Sequence, residues 1–421
     1  MASTKQDRLA AADVAVLRGL AQRKLDIAND PVNLDRKRLW HLLDDGRAER
    51  PMILTEANVA FDDLADARLS CQNDWARSLE YGLRFEIFLF EKIRDDHVVE
   101  PWINTNWDVQ TGNYGVEVKT VWAEKARGNV ASRRWEPPLK DLQRDAEKLR
   151  RRTFTVNRPA TAANKARLEE VCDGILPVRI RGGFFWSLGM TQQLINLVGL
   201  ENMMLSMYTD PKGLHQVMAF LRDDWTAFVD WLQAENLLSL NNENDYIGSG
   251  SMGYSRALPR PEWRPGDAVT PADLWGLSES QETASVSPEM FREFVFQYQL
   301  PLISRFGRSY YGCCEPVHTR WHVLKTIPNL KRISVSPWCN EEFMAEACSR
   351  QYVFSRKPNP ALISTERFDE DAIREDLRKT LRLAAGCNVE LIMKDVHTLA
   401  GHPERMARWV ELAREAISES R

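Results

Sequence analysis

The apolar positions of this chain change period along its length. Over residues 4–28 they recur at helical spacing, with Thr4 as the expected cap. A second helical pattern covers 33–45 through Leu34, Leu39, Leu42 and Leu43. The short apolar run Pro51-Met52-Ile53-Leu54-Thr55 then fits a buried strand, and 76–94 reads as an amphipathic helix. Residues 97–135 are irregular, with an alternation around Gly115 to Lys119 that predicts a hairpin. Residues 137–172 read as charged helix interrupted near Pro159.

From Leu176 the pattern becomes regular. Strands are expected near 176–181, 236–241, 272–278, 309–313, 331–336, 351–356 and 389–394. Helices are expected over 189–206, 211–235, 288–305, 318–326, 340–349, 369–385 and 403–419. With the run at 51–55 this gives about eight strand–helix units and no Gly-rich dinucleotide fingerprint. The expected fold class is therefore α/β, a (β/α)8 TIM barrel. The organisation expected is an N-terminal helical extension over 1–50 and a barrel over 51–421, with a helical and hairpin insertion at about 97–172.

Composition narrows the function classes. Apolar residues make up 43% and charged residues 28%, with a net charge of −4, so there is no basic excess for a nucleic-acid surface. No apolar run is long enough for a membrane span, and Met1 to Lys24 lacks a signal core, which gives a cytoplasmic expectation. Seven irregularly spaced cysteines in such a chain read as reduced thiols.

A barrel carries its active site at the C-terminal strand ends. The expected ends are Thr55-Glu56, Arg181-Gly182-Gly183, Asn241-Asn242, Ser278-Glu279-Ser280, Cys313-Cys314-Glu315, Ser336-Pro337-Trp338, Arg356-Lys357 and Lys394-Asp395-Val396-His397. Cys313 and Cys314 are candidate soft metal ligands, or buried small residues; successive strand residues face opposite ways, so one of them faces the mouth unless the turn begins there. Glu315 is a candidate general acid or a partner of the following helix dipole. His397 is a candidate metal ligand or proton shuttle, with Asp395 to orient it. Glu279, Ser280, Arg181 and Trp338 are candidate substrate-binding groups, Arg181 for a carboxylate or phosphate and Trp338 as an apolar wall. His318 reads as structural, and so do Cys71, Cys172, Cys339, Cys348 and Cys387.

Three segments resemble the uroporphyrinogen decarboxylase superfamily. LWGLSESQETASVSPEMFREFVFQYQLPLI (274–303) is similar to its strand, Ser-Pro-Glu turn and long helix, and LVGLENMMLSMYTDPKGLHQVMAFL (197–221) to its paired helices. RKRLWHLLDDGRAERPMIL (36–54) is similar to the opening of its methyltransferase branch. The resemblance spans roughly 35–418 and implies a (β/α)8 barrel. The arginine-rich tetrapyrrole motif of true decarboxylases is missing after the first strand. The methyltransferase branch implies zinc on a His-x-Cys and a later Cys. Here those places read Gly312-Cys313-Cys314 and a stretch near His397: the histidine is missing, Cys314 alone matches the motif, and Cys313 and His397 complete the candidate ligand set. The implied activity is methyl transfer from a small O- or N-methylated substrate to a corrinoid on a partner protein, with a homodimer as one arrangement. A decarboxylase or lyase, or a non-catalytic binding protein on the same barrel, are the alternatives.

Overall fold

The computed structural model describes residues 9–65, 69–122, 133–182, 184 and 187–420. Thr4 and Gly183 lie outside the described residues. The framework is mixed α/β. Strands β1 (Met52–Thr55), β2 (Ile103–Thr105), β3 (Val178–Ile180), β4 (Trp275–Ser278), β5 (Arg308–Tyr311), β6 (Leu330–Val335), β7 (Val353–Arg356) and β8 (Asn388–Met393) carry it. Six of them form one parallel sheet in the order β1-β8-β7-β6-β5-β4. The first strand therefore lies beside the last, with Thr55 opposite Met393. β2 and β3 form a separate parallel pair. Among the described residues that pair is not laddered to either sheet edge, so no closed barrel forms.

Besides the open sheet, the framework strands differ from the sequence expectation in two places. Residues 236–241 are not a strand, whereas Ile103–Thr105 is. The reason lies in Asn241. Its side-chain Oδ1 accepts from the Trp275 N–H at 2.8 Å and its Nδ2 donates to the Trp275 carbonyl at 3.0 Å. One side-chain amide thus satisfies the start of the edge strand β4 where a neighbouring strand would otherwise do so. In the insertion, Val109–Thr111 pairs with Phe154–Val156 and Lys119–Trp122 with Arg133–Glu136. The charged stretch after 137 holds a short helix at Leu142–Asp145 and a long one only at Arg158–Cys172.

The sheet is buried on both faces, as a parallel sheet requires. Tyr311, Ile333, Phe354, Leu391 and Met393 join the main core under the helices. The alternate positions face inward: Trp275, Leu277 and Tyr310 pack with Ile247 and Leu258, while Met52, Leu54 and Ile392 pack with Trp40 and Tyr254. Helices Glu341–Cys348, Glu370–Leu383 and Glu404–Glu419 cover the outer face. The last buries Met406, Trp409, Val410, Ala413 and Ile417, a three-and-four spacing that makes one apolar stripe. Two helices, Ala11–Ala28 and Pro31–Asp44, precede β1; Asp30 caps the second by accepting from Val32 N–H at 2.8 Å. Among the described residues no helix is long and apolar enough to cross a membrane.

Inside the sheet runs a polar chain. Arg332 and Glu390 are both fully buried and lie 3.5 Å apart. Arg332 also donates to Ser251 Oγ at 2.6 Å and to the Met252 carbonyl at 2.8 Å, and faces Asp44 at 3.5 Å. Ser251 and Ser355 donate to the two oxygens of Glu390. The guanidinium and carboxylate are thus hydrogen-bonded as well as paired, which burial of charge demands.

Candidate active site at the strand ends

β5 ends at Tyr311, and Gly312 follows with φ +97°. A Cβ there would come within 3.1 Å of Ser334 and Val317, so this left-handed turn suits glycine. The turn begins at once, which frees both following thiols from strand alternation. Cys313 and Cys314 are half-buried with their sulfurs 3.5 Å apart. β8 ends nearby in Lys394-Asp395, where Asp395 also takes a left-handed conformation, φ +58°. Such a conformation is uncommon outside glycine and clusters at functional turns.

These two strand ends meet. Lys394 Nζ lies 3.4 Å from Cys313 Sγ, and Cys314 Sγ donates to Asp395 Oδ2 at 3.3 Å. Lys394 is also 3.3 Å from Asp395 Oδ1, and Glu56, just past β1, approaches the Asp395 N–H at 3.5 Å. The thiols divide their roles. The hydrogen bond from Cys314, with further help from the Lys394 ammonium, brings Cys313 down to about 7 although burial opposes it. Cys314 moves the other way, because its proton is held between a thiolate and a carboxylate. Burial works against the charge on Lys394, but Cys313, Glu56 and Asp395 outweigh it and raise its pKa. A thiol held at about 7 beside an ammonium is ionised to a substantial fraction at neutral pH, far more than an ordinary cysteine.

Behind the pair sits Lys357, fully enclosed at the end of β7. It donates to the Ser355 carbonyl at 3.1 Å and bonds the hydroxyls of Tyr310 and Ser355. Among the described residues no carboxylate is within ion-pair distance of it. Burial lowers it to about 7, with Lys394 adding to the fall and Glu390 resisting it.

The neighbouring strand ends are braced by Glu315. One oxygen accepts from the Ser280 N–H at 2.9 Å and the other from the Cys313 N–H at 2.8 Å. Glu315 is buried and so fixes the loop that presents Cys313. Ser280 is buried too, with its hydroxyl on Tyr311 at 2.7 Å and Arg320 at 3.3 Å. Glu279 accepts from Ser187 Oγ at 3.0 Å and from the Gln281 N–H at 3.1 Å. Burial, then the charges of Glu315 and Glu282, push it up to about 8, so it is protonated at neutral pH.

The other candidates stand apart from the thiols. His397 follows β8 at the same end of the sheet but is exposed, and its ring hydrogen-bonds to none of the described residues. Arg181 is held by Asp245, at 2.8 and 2.6 Å, and by Glu243 at 2.9 Å, which already supplies the carboxylates expected of a ligand. It still lines a cavity of about 400 Å3 with Asn104, Asn241 and Tyr246. Trp338 is two-thirds exposed and lines a separate cavity of about 570 Å3 with His318, Lys379 and Arg382. Among the described residues no three His, Cys, Asp or Glu side chains come together in a metal-holding group. Cys313, Cys314 and His397 do not converge as a zinc set, because the exposed His397 ring does not join the two thiols.

Sequence reasoning passed over Lys394 as a working group and took Lys357, with Arg356, as a candidate partner for a carboxylate or phosphate. A lysine at each of two strand ends was visible, but its side chain's direction was not.

No family model matches the chain, and no curated protein matches it. Among solved structures, a methyltransferase from Methanosarcina mazei is similar over 90% of this chain and 97% of that one, at 12% identity and a TM-score of 0.48. A likeness this distant carries no argument about activity.

Proposed function

We propose that this protein is a group-transfer enzyme that takes a methyl group from a small methylated substrate at the strand-end mouth, with the Cys313 thiolate as the attacking group. The observation that carries the reading is the 3.4 Å approach of Lys394 Nζ to Cys313 Sγ. A soft, pre-ionised sulfur is suited to attack on a methyl carbon.

In the proposed step a sulfur–carbon bond forms as the bond from the methyl carbon to its leaving group breaks, and the electron pair departs with that group. The favoured donor is an N-methyl onium compound, whose leaving group is a neutral amine that needs no proton. The charges at the mouth agree with this. Cys313, Glu56 and Asp395 are anionic against one cation, Lys394, and a net negative mouth attracts a cationic donor. The second acceptor in the proposal is a reduced corrinoid on a partner protein. When the methyl leaves Cys313, the Lys394 ammonium stabilises the released thiolate.

A decarboxylase or lyase reading has one observation in its favour. Glu279 is a buried carboxylic acid that keeps its proton at neutral pH, as a proton donor to a carbanion must.

The test is transfer of a deuterated methyl group from tetramethylammonium or a betaine, followed by peptide mass spectrometry. The expected result is labelled S-methylcysteine at residue 313, absent from Cys313→Ser, and discharged by a reduced corrinoid protein. Turnover by Cys313→Ser at the wild-type rate would remove the thiolate from the reaction.

A further inference from the structure

Two adjacent thiols whose sulfurs touch form a pair whose chemistry extends beyond nucleophilic attack. Cys313 and Cys314 are both half-buried rather than sealed, and their sulfurs are already in contact at 3.5 Å. The other five cysteines do not share this setting. Cys71, Cys172 and Cys348 are buried, Cys387 donates to the Ala345 carbonyl at 3.2 Å, and Cys339 packs against Ser336 and the Glu315 carbonyl.

We propose that Cys313 and Cys314 are a hydroperoxide-sensitive modification site that closes to a vicinal disulfide and so withdraws the Cys313 sulfur from the mouth. The chemistry balances with hydrogen peroxide as the oxidant. The Cys313 thiolate attacks one peroxide oxygen, a sulfur–oxygen bond forms, the oxygen–oxygen bond breaks, and hydroxide leaves to be protonated to water. Cys313 is then a sulfenic acid. The Cys314 sulfur attacks it, the sulfur–sulfur bond forms, the sulfur–oxygen bond breaks, and a second water leaves carrying the Cys314 proton. Lys394 serves both steps. It holds Cys313 ionised for the first and stands beside the departing oxygen in the second.

Geometry also sets what kind of disulfide this is. Consecutive Cα atoms are about 3.8 Å apart across a trans peptide, below the span of roughly 4.4–6.8 Å that ordinary disulfides take. The bond closes a small, strained ring. Strained and accessible disulfides have the more oxidising potentials and are readily reduced. The pair is thus a reversible switch and not a structural staple. The site depends on the methyl-transfer reading only for what oxidation does to turnover; the bond itself is read separately.

The experiment treats the full-length reduced protein with hydrogen peroxide, quenches with N-ethylmaleimide, and reads the peptide containing both residues by mass spectrometry. The expected product has lost two hydrogens, resists alkylation, and regains two alkylatable thiols on mild reduction. Cys314→Ser should stop at a sulfenic acid on Cys313, trapped by dimedone, and Cys313→Ser should form no disulfide. Lys394→Met should slow the first step severalfold at pH 7. Direct over-oxidation of wild-type Cys313 to the sulfinic acid, or a disulfide from Cys313 to another cysteine, would overturn the proposal. Loss of methyl transfer with the disulfide absent would leave no role for the switch.

Discussion

The Nζ of Lys394 stands 3.4 Å from the Sγ of Cys313, across the ends of two strands separated by 81 residues of chain. The contact exists because β5 and β8 end at the same side of one parallel sheet, and because Gly312 turns the chain before the thiol. An ammonium at this distance favours the charged sulfur.

Lys394→Met should therefore raise the alkylation midpoint of Cys313. The wild-type thiol is held at about 7, with Cys314 as the larger contributor and Lys394 the next favourable one. Loss of the ammonium leaves burial less opposed, so the midpoint should move upward by about one unit or more. Iodoacetamide rates against pH measure it. An unchanged midpoint would mean that the lysine does not act on the sulfur.

Glu279 gives the protein a pH dependence of defined sign. Its acid is raised from 4.5 to about 8 in the folded state. Between those values the native protein binds more protons than the unfolded chain, so stability falls as pH rises through the window. Glu279→Gln removes that slope. The variant should gain on wild type from pH 5 to pH 8, by about 1 kcal/mol or more at the upper end. Denaturant melts at the two pH values check it; a gap that widens toward low pH would contradict the assignment.

The Arg332–Glu390 pair is a third test. Arg332→Met leaves Glu390 buried without its arginine and leaves Asp44 with Arg308 alone, at 3.6 Å, which should cost about 3–5 kcal/mol. Adding Glu390→Gln should recover part of that loss. Non-interacting effects in a double-mutant cycle would show that the two groups are not coupled.

How much of this was legible in the sequence follows from what each signal depends on. Strand positions at 52–55 and from 275 onward come from local apolar runs and were readable. Residues 236–241 look equally apolar in sequence, but Asn241 spends its amide on Trp275, a contact that no local pattern encodes. Cys313 and Cys314 were visible as candidates. Which of them ionises was not, because that depends on Lys394 and Asp395 arriving from the far end of the chain. Arg181 and Glu315 carried the right chemistry in sequence, yet each is already occupied, by Asp245 and by two backbone N–H groups.

His397 sharpens the contrast. It sits two residues beyond Asp395 but is exposed and makes no hydrogen bond with the described residues. His397→Ala should change stability by no more than about 0.5 kcal/mol and leave the Cys313 alkylation profile in place. A large fall in Cys313 reactivity would restore the imidazole to the site.

The most direct measurement of the central claim is competitive alkylation of the native protein with limiting iodoacetamide across pH 5–10, read cysteine by cysteine. The account predicts that Cys313 reacts first among the seven cysteines, with a midpoint near 7, while Cys314 stays unreactive until far higher pH. A Cys313 midpoint at or above that of an ordinary thiol, about 8.5, or Cys314 reacting ahead of it, would contradict the thiolate–ammonium pair on which the proposed reaction rests.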